Sequence, residues 1–131
     1  MSRQSLLAII FILSVALAAT HLVAFKFYLY WVFDWLDIAV HFTGGALSAF
    51  IVLWVVFLSR YISPREETIH AAVLWSVAAG ITIGISWEVF EVTAGVPMER
   101  NYVLDTALDL SMDVAGSLAA SVAYARARLL S

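Results

Sequence analysis

From Leu6 to Phe25 the chain carries no Asp, Glu, Lys or Arg, and only Ser14, Thr20 and His21 interrupt its apolar character. A run of about 20 apolar residues is what a helix needs to cross the hydrocarbon of a bilayer. Three more runs follow: Ile38–Leu58, Ala71–Phe90 reaching to about Ala94, and Val103–Ala125. A lipid-embedded backbone must satisfy its own N–H and C=O groups, so each run is expected to be a helix. The fold class expected is all-α: one polytopic bundle of four transmembrane helices over residues 1–131. Composition decides against a soluble core. The chain is 63% hydrophobic and 13% charged, where soluble domains carry roughly 25% charged residues. A chain this short has too little interior to hide that apolar excess, whereas lipid accepts it.

The segments between the runs carry turn chemistry. Ser59–His70 holds Pro64, Arg65, Glu66 and Glu67, and Gly95–Tyr102 holds Pro97, Glu99 and Arg100. Phe27–Trp35 is almost wholly aromatic, with Tyr28, Tyr30, Trp31, Phe33 and Trp35. Such rings are favoured at the headgroup level. Four spans put both termini and the Ser59–His70 loop on one side, with Arg3, Arg60, Arg65, Arg126 and Arg128. The other side has Lys26 and Arg100. Basic loops stay cytoplasmic, so both termini are expected inside a cytoplasmic membrane. The rival for the first run is a cleaved signal peptide ending near Ala16-Leu17-Ala18. The run continues past it to Phe25 and into the aromatic stretch, which favours a retained helix.

The absence of cysteine excludes disulfides, thiolate metal sites and a cysteine nucleophile. No basic stripe suggests nucleic acid. The expected partner is the lipid bilayer, and a homo-oligomer is compatible with the small-residue faces described next.

Ionisable groups inside spans are expensive, about 2.5–3.5 kcal/mol for a central Asp, and mark functional candidates. Here they are patterned. Asp37 and His41 lie four apart and share a helical face, continued by Gly44, Gly45 and Ser48. Ser76, Gly80, Gly84 and Glu88 recur every four residues, with Glu91 three beyond. Asp105, Asp109, Asp113, Ser117 and Ser121 do the same on the last run, beside Gly116 and Ala120. Burying these stripes together lets helices approach closely. The up-and-down order then gathers six carboxylates and two histidines, His21 and His41, near the outer end. So many carboxylates at low dielectric require shared protons or a cation. The candidate metal ligands are His41, Glu88, Glu91, Asp109 and Asp113, with Asp37, Asp105 and His21 in support. A mixed imidazole and carboxylate set suits a divalent ion such as Zn, Mn or Fe.

Plainer roles compete. Asp37 and Asp105 can serve as helix N-terminal charges, Glu91 can pair with Arg100, and His21 can bond a backbone carbonyl. His70 reads as solvated, Gly80 and Gly84 as packing residues, and Trp54 and Trp75 as interface anchors. His41, Glu88, Asp109 and Asp113 lie too deep for capping; a hydrogen-bonded network is their structural alternative.

Asp37-x-x-x-His41-Phe42-x-Gly44-Gly45, Trp87-Glu88-x-Phe90-Glu91 and Asp105-Thr106-x-x-Asp109-Leu110-x-x-Asp113-x-x-Gly116 together resemble the YjdF-like family of small bacterial inner-membrane proteins. More distantly they are similar to VanZ-like proteins, which are linked to glycopeptide resistance. The resemblance covers roughly Asp37 to Ala120 and implies a bacterial-type cytoplasmic membrane, without implying a reaction. Members usually place Lys after the first Asp, where this chain has Ile38, and many are longer.

Three functions are compatible with the sequence. The first is divalent metal binding, structural or catalytic. If catalytic, activated water would act on a lipid-linked substrate, with Glu88 or Asp113 as base. The second is a proton or cation relay. The third is a non-catalytic assembly subunit using polar helix pairing, which at about 0.6–2 kcal/mol per contact leaves eight ionisable groups in excess.

Overall fold

The computed structural model describes residues 1–62, 65–95 and 101–130. Among them the regular structure is helical, with no strand. Four long helices follow in order: α1, Arg3–Lys26; α2, Asp34–Leu53, prolonged by a π-turn over Trp54–Leu58; α3, Ile69–Ala94; and α4, Tyr102–Arg128. Four helices are present, as expected; α1 and α4 overrun their apolar runs at both ends, and α2 and α3 begin a few residues ahead of theirs. Three are long and apolar enough to cross a membrane: Arg3–Lys26, Asp34–Leu58 and Ile69–Ala94. The fourth has the length but carries Asp105, Asp109 and Asp113.

Local chemistry sets the boundaries. Ser2 Oγ accepts the Ser5 N–H at 3.0 Å and opens α1. Thr68 Oγ1 accepts the Ala71 N–H at 3.1 Å and opens α3. Gly95 closes α3 in the left-handed region, φ 68°. The Ser59 N–H reaches the Trp54 carbonyl at 2.7 Å, which widens the end of α2 into the π-turn. Between α1 and α2 the aromatic stretch makes one 3-10 turn, Leu29–Trp31, and most of its rings are exposed. Pro64, Pro97, Glu99 and Arg100 lie outside the described residues, and with them the Glu91–Arg100 pairing.

α2, α3 and α4 pack on one another, while α1 lies against α2. The three helices bury the faces on which small and polar residues recur. On α3 the buried residues are Ala72, Ser76, Gly80, Gly84 and Glu88, each four from the last. On α4 they include Asp109, Asp113, Ser117 and Ser121. The apolar side chains face outward: Phe11, Leu22, Leu74 and Val103 are all exposed. That is inside-out relative to a water-soluble bundle and is how a lipid-embedded one is built.

The closest approach is between α2 and α4. A Cβ added at Gly45 would collide with the Asp113 backbone carbonyl, and one at Gly116 with the Phe42 carbonyl. The Ser117 hydroxyl donates to the Gly45 carbonyl at 3.0 Å across this crossing. The register of α4 against α2 is thereby fixed, and it decides which side chains face His41.

Candidate functional site: a histidine among carboxylates

His41 sits on the second turn of α2, 5% exposed, facing α4. Its Nδ1 lies 3.1 Å from Asp113 Oδ2. A carboxylate accepts, so Nδ1–H is the donor, and in a neutral ring this leaves the Nε2 lone pair free of a proton. Nε2 points between two more carboxylates, Asp37 Oδ1 at 3.9 Å and Asp109 Oδ2 at 3.8 Å. Asp37 comes from the preceding turn of α2, and Asp109 from α4, one turn before Asp113. The ligand atoms of Asp37, His41 and Asp109 all fall within 4.8 Å of one another.

Those distances discriminate between two uses of Nε2. An N–H···O bond closes to about 2.7–3.2 Å, and neither carboxylate is that near. Two ligands each about 2.0–2.2 Å from one zinc ion stand no further apart than about 4.4 Å, and both separations are below that limit. The two nitrogen–oxygen separations are thus compatible with a shared divalent ion, which one imidazole nitrogen and two carboxylate oxygens could hold, with Asp113 orienting the ring from behind.

The other predicted residues surround this centre in different roles. Glu88 is buried, and its Oε2 accepts the Thr106 hydroxyl at 2.6 Å. Its Oε1 has no hydrogen-bond partner among the described residues. Glu91 and Asp105 line a cavity of about 210 Å³ at this end of the bundle, which Asp34, Asp37 and Asp109 also line. Asp105 lies in the first turn of α4, where its charge suits the helix dipole. His21 does not bond a backbone carbonyl; its Nδ1 lies 2.8 Å from the Tyr30 hydroxyl, and its ring meets Trp87 edge-on at 5.0 Å. Burial, and then the negative charge of Asp37 and Glu91, push the Tyr30 phenol up to about 12, so it remains a hydroxyl at any physiological pH. His70 is exposed, as expected of a solvated residue. Trp54 and Trp75 serve as platforms for Arg3 and Arg65, at 5.5 and 5.3 Å.

A family model for a predicted membrane protein (DUF2238) matches residues 1–129. The chain belongs to that family. It is the YjdF-like family that the three sequence blocks resemble. No curated protein and no solved structure matches the chain.

Sequence reasoning passed over Asp34, Tyr30, Trp87 and Thr106 at this site. Two of them left a signal. Asp34 lies three residues before Asp37, on its helical face. Thr106 lies inside the acidic block of α4, three before Asp109. Tyr30 and Trp87 read as headgroup and motif aromatics and gave no sign that they flank His21.

Proposed function

We propose that this is a four-span protein of the cytoplasmic membrane, both termini inside, which binds a divalent metal ion at its outer end through His41 Nε2, Asp37 and Asp109. The observation that carries the reading is the placement of Nε2: too far from either carboxylate for a hydrogen bond, close enough to share an ion with both. Asp113 sets the tautomer that makes Nε2 a ligand. Glu88 and Glu91 stand behind the triad as further carboxylates. When bound, the ion would supply Lewis acidity and positive charge where the described residues offer no Lys or Arg.

The fourth span is supported by packing. At about 1.5 Å per residue, the 27 residues of α4 are long enough for a hydrocarbon core of about 30 Å. Its aspartates face α2 and α3 rather than lipid. The orientation follows from the basic side chains near the Met1 and Arg128 end. The more distant likeness to VanZ-like proteins rests on the three sequence blocks alone.

A relay of protons is the weaker reading. Toward the other end the buried polar groups include Ser48, Ser76, Ser117 and Ser121. The hydroxyls of Ser48, Ser117 and Ser121 donate to backbone carbonyls, of Gly45, of Asp113 and Gly45, and of Leu118. Of the four, the Ser76 hydroxyl alone lacks a partner among the described residues, and one such hydroxyl makes no continuous route.

The test is elemental mass spectrometry on detergent-purified protein, alongside His41→Ala and Asp109→Asn. Stoichiometric zinc, manganese or iron in the wild type, lost in both variants while they remain monodisperse, is the expected result. A wild type that stays metal-free after supplementation with each ion would overturn the reading.

A further inference from the structure

A second cavity, of about 300 Å³, adjoins the first. Its floor is α2 at Val40, Gly44 and Leu47, and its walls are α1 at Leu17 and Ala18 and α3 at Ile83. It exists because α1 packs on α2 and does not close against α3. Its surface is almost wholly apolar, although Ser14, His41 and Asp113 also line it, and it lies along mid-helix positions, where a spanning bundle would meet hydrocarbon. His21, Val40 and Trp87 line both cavities, which makes them neighbours across those side chains. The two have opposite character. The first is lined by five carboxylates, Asp34, Asp37, Glu91, Asp105 and Asp109, together with the aromatic rings of Tyr30, Trp31 and Trp87. Among the described residues no Lys or Arg lines it.

The geometry points to a binding site for a membrane-soluble amphiphile with a cationic ammonium head, its alkyl chain in the α1–α3 slot and its head among the carboxylates and rings. Charge complementarity selects the head. Aromatic faces and carboxylates are the groups that hold ammonium ions, and an anionic headgroup would be repelled. A metal ion at His41 would use Asp37 and Asp109, and still leave Asp34, Glu91 and Asp105 in the first cavity. The site therefore goes beyond the metal reading and does not depend on it. Direct access from the lipid fits a ligand that partitions into the bilayer before it binds.

The probe is a dodecyltrimethylammonium carrying bromine on its chain, which quenches tryptophan, added to the protein in phosphatidylcholine nanodiscs. A brominated dodecyl sulfate and empty nanodiscs are the controls. Saturable quenching is expected, with the ammonium at least tenfold tighter than the sulfate. Asp34→Asn combined with Asp105→Asn should remove most of that preference; Asp34 is exposed, so its change leaves packing intact. Ala18→Phe, which fills the slot, should weaken the long-chain probe and leave competition by tetramethylammonium unchanged. Equal quenching by both charges would mean that the slot holds lipid tails indiscriminately and would overturn the proposal, as would quenching that does not saturate or that ignores the aspartate changes. Running each titration with a chelator and with added zinc separates this outcome from that of the metal test.

Discussion

The two ends of the bundle treat charge in opposite ways. At the end where α4 finishes, one carboxylate, Glu67, receives three hydrogen bonds: from the Tyr124 hydroxyl and from Nε and Nη2 of Arg128. Arg128 also reaches the Met1 carbonyl, and the N-terminal amine meets Ala127. Each group of this cluster has a partner of opposite sign or a dipole, and the chain's two termini are tied to the α2–α3 connection. At the other end Asp37, Asp109 and Asp113 crowd one imidazole, and Glu88 keeps a buried oxygen without a partner among the described residues. A matched cluster needs nothing further to be stable. An unmatched one in a low dielectric calls for a proton or a ligand. Under the proposed reading, the contrast gives a structural role to one end and a binding role to the other.

The largest effects should separate the two ends completely. His41→Ala should abolish metal retention and also lower thermal stability in detergent, because it strips the buried Asp113 carboxylate of its partner. Asp113→Asn should keep the ligands but loosen the ring, weakening metal affinity about 10- to 100-fold. Competition against a chelator of known affinity measures both. An Asp113→Asn protein with unchanged affinity would show that Asp113 does not orient the ring.

Next in size is the joint between the ends. Gly45→Leu would drive a side chain into the Asp113 backbone, which cannot move aside without shifting α4. Overpacking of this kind costs about 1–3 kcal/mol, and here it would also displace Asp113 from His41. Gly44→Ala is the control, because a Cβ there lies 3.9 Å from the nearest Asp113 oxygen, an ordinary contact. Denaturation in mixed micelles should place Gly44→Ala beside the wild type and Gly45→Leu well below it. Equal stability of the two would remove the α2–α4 crossing as the element that sets the register.

How much of this was legible beforehand follows from the same geometry. The stripes on α3 and α4 could be read from spacing alone, because a membrane bundle hides its small and polar faces and the period of four survives. The gathering of acids at one end followed from helix order. The partner of each group did not. His41 and Asp113 are 72 residues apart, and their meeting depends on a crossing fixed by Gly45 and Gly116. Thr106, not a second acid, bonds Glu88. The Glu67–Tyr124–Arg128 cluster was invisible because Tyr124 reads as one more aromatic in an apolar run. The α1–α3 slot was equally hidden, since nothing in α1, apolar on nearly every side, says that it packs on α2 and meets α3 through the His21–Trp87 contact.

The smallest effects belong to the matched end. Glu67→Gln removes charge from three hydrogen bonds at a partly exposed site, where charge-assisted bonds contribute about 1–2 kcal/mol after solvent screening. It should lower the melting temperature by a few degrees and leave metal content unchanged. Its pH dependence is the finer test. Burial raises the Glu67 carboxyl, but the bonds from Arg128 and Tyr124 and the positive charge of Arg128 outweigh it, and the group ends below its usual 4.5. A depressed carboxyl contributes stability that is fully present above its unfolded value and is lost as pH falls through its folded value. The difference in melting temperature between wild type and Glu67→Gln should therefore be constant from neutral pH down to about 5 and shrink below that. A difference that grew on acidification would mean that the Glu67 carboxylate is not held by Arg128 and Tyr124, and the contrast between the two ends would lose its matched member.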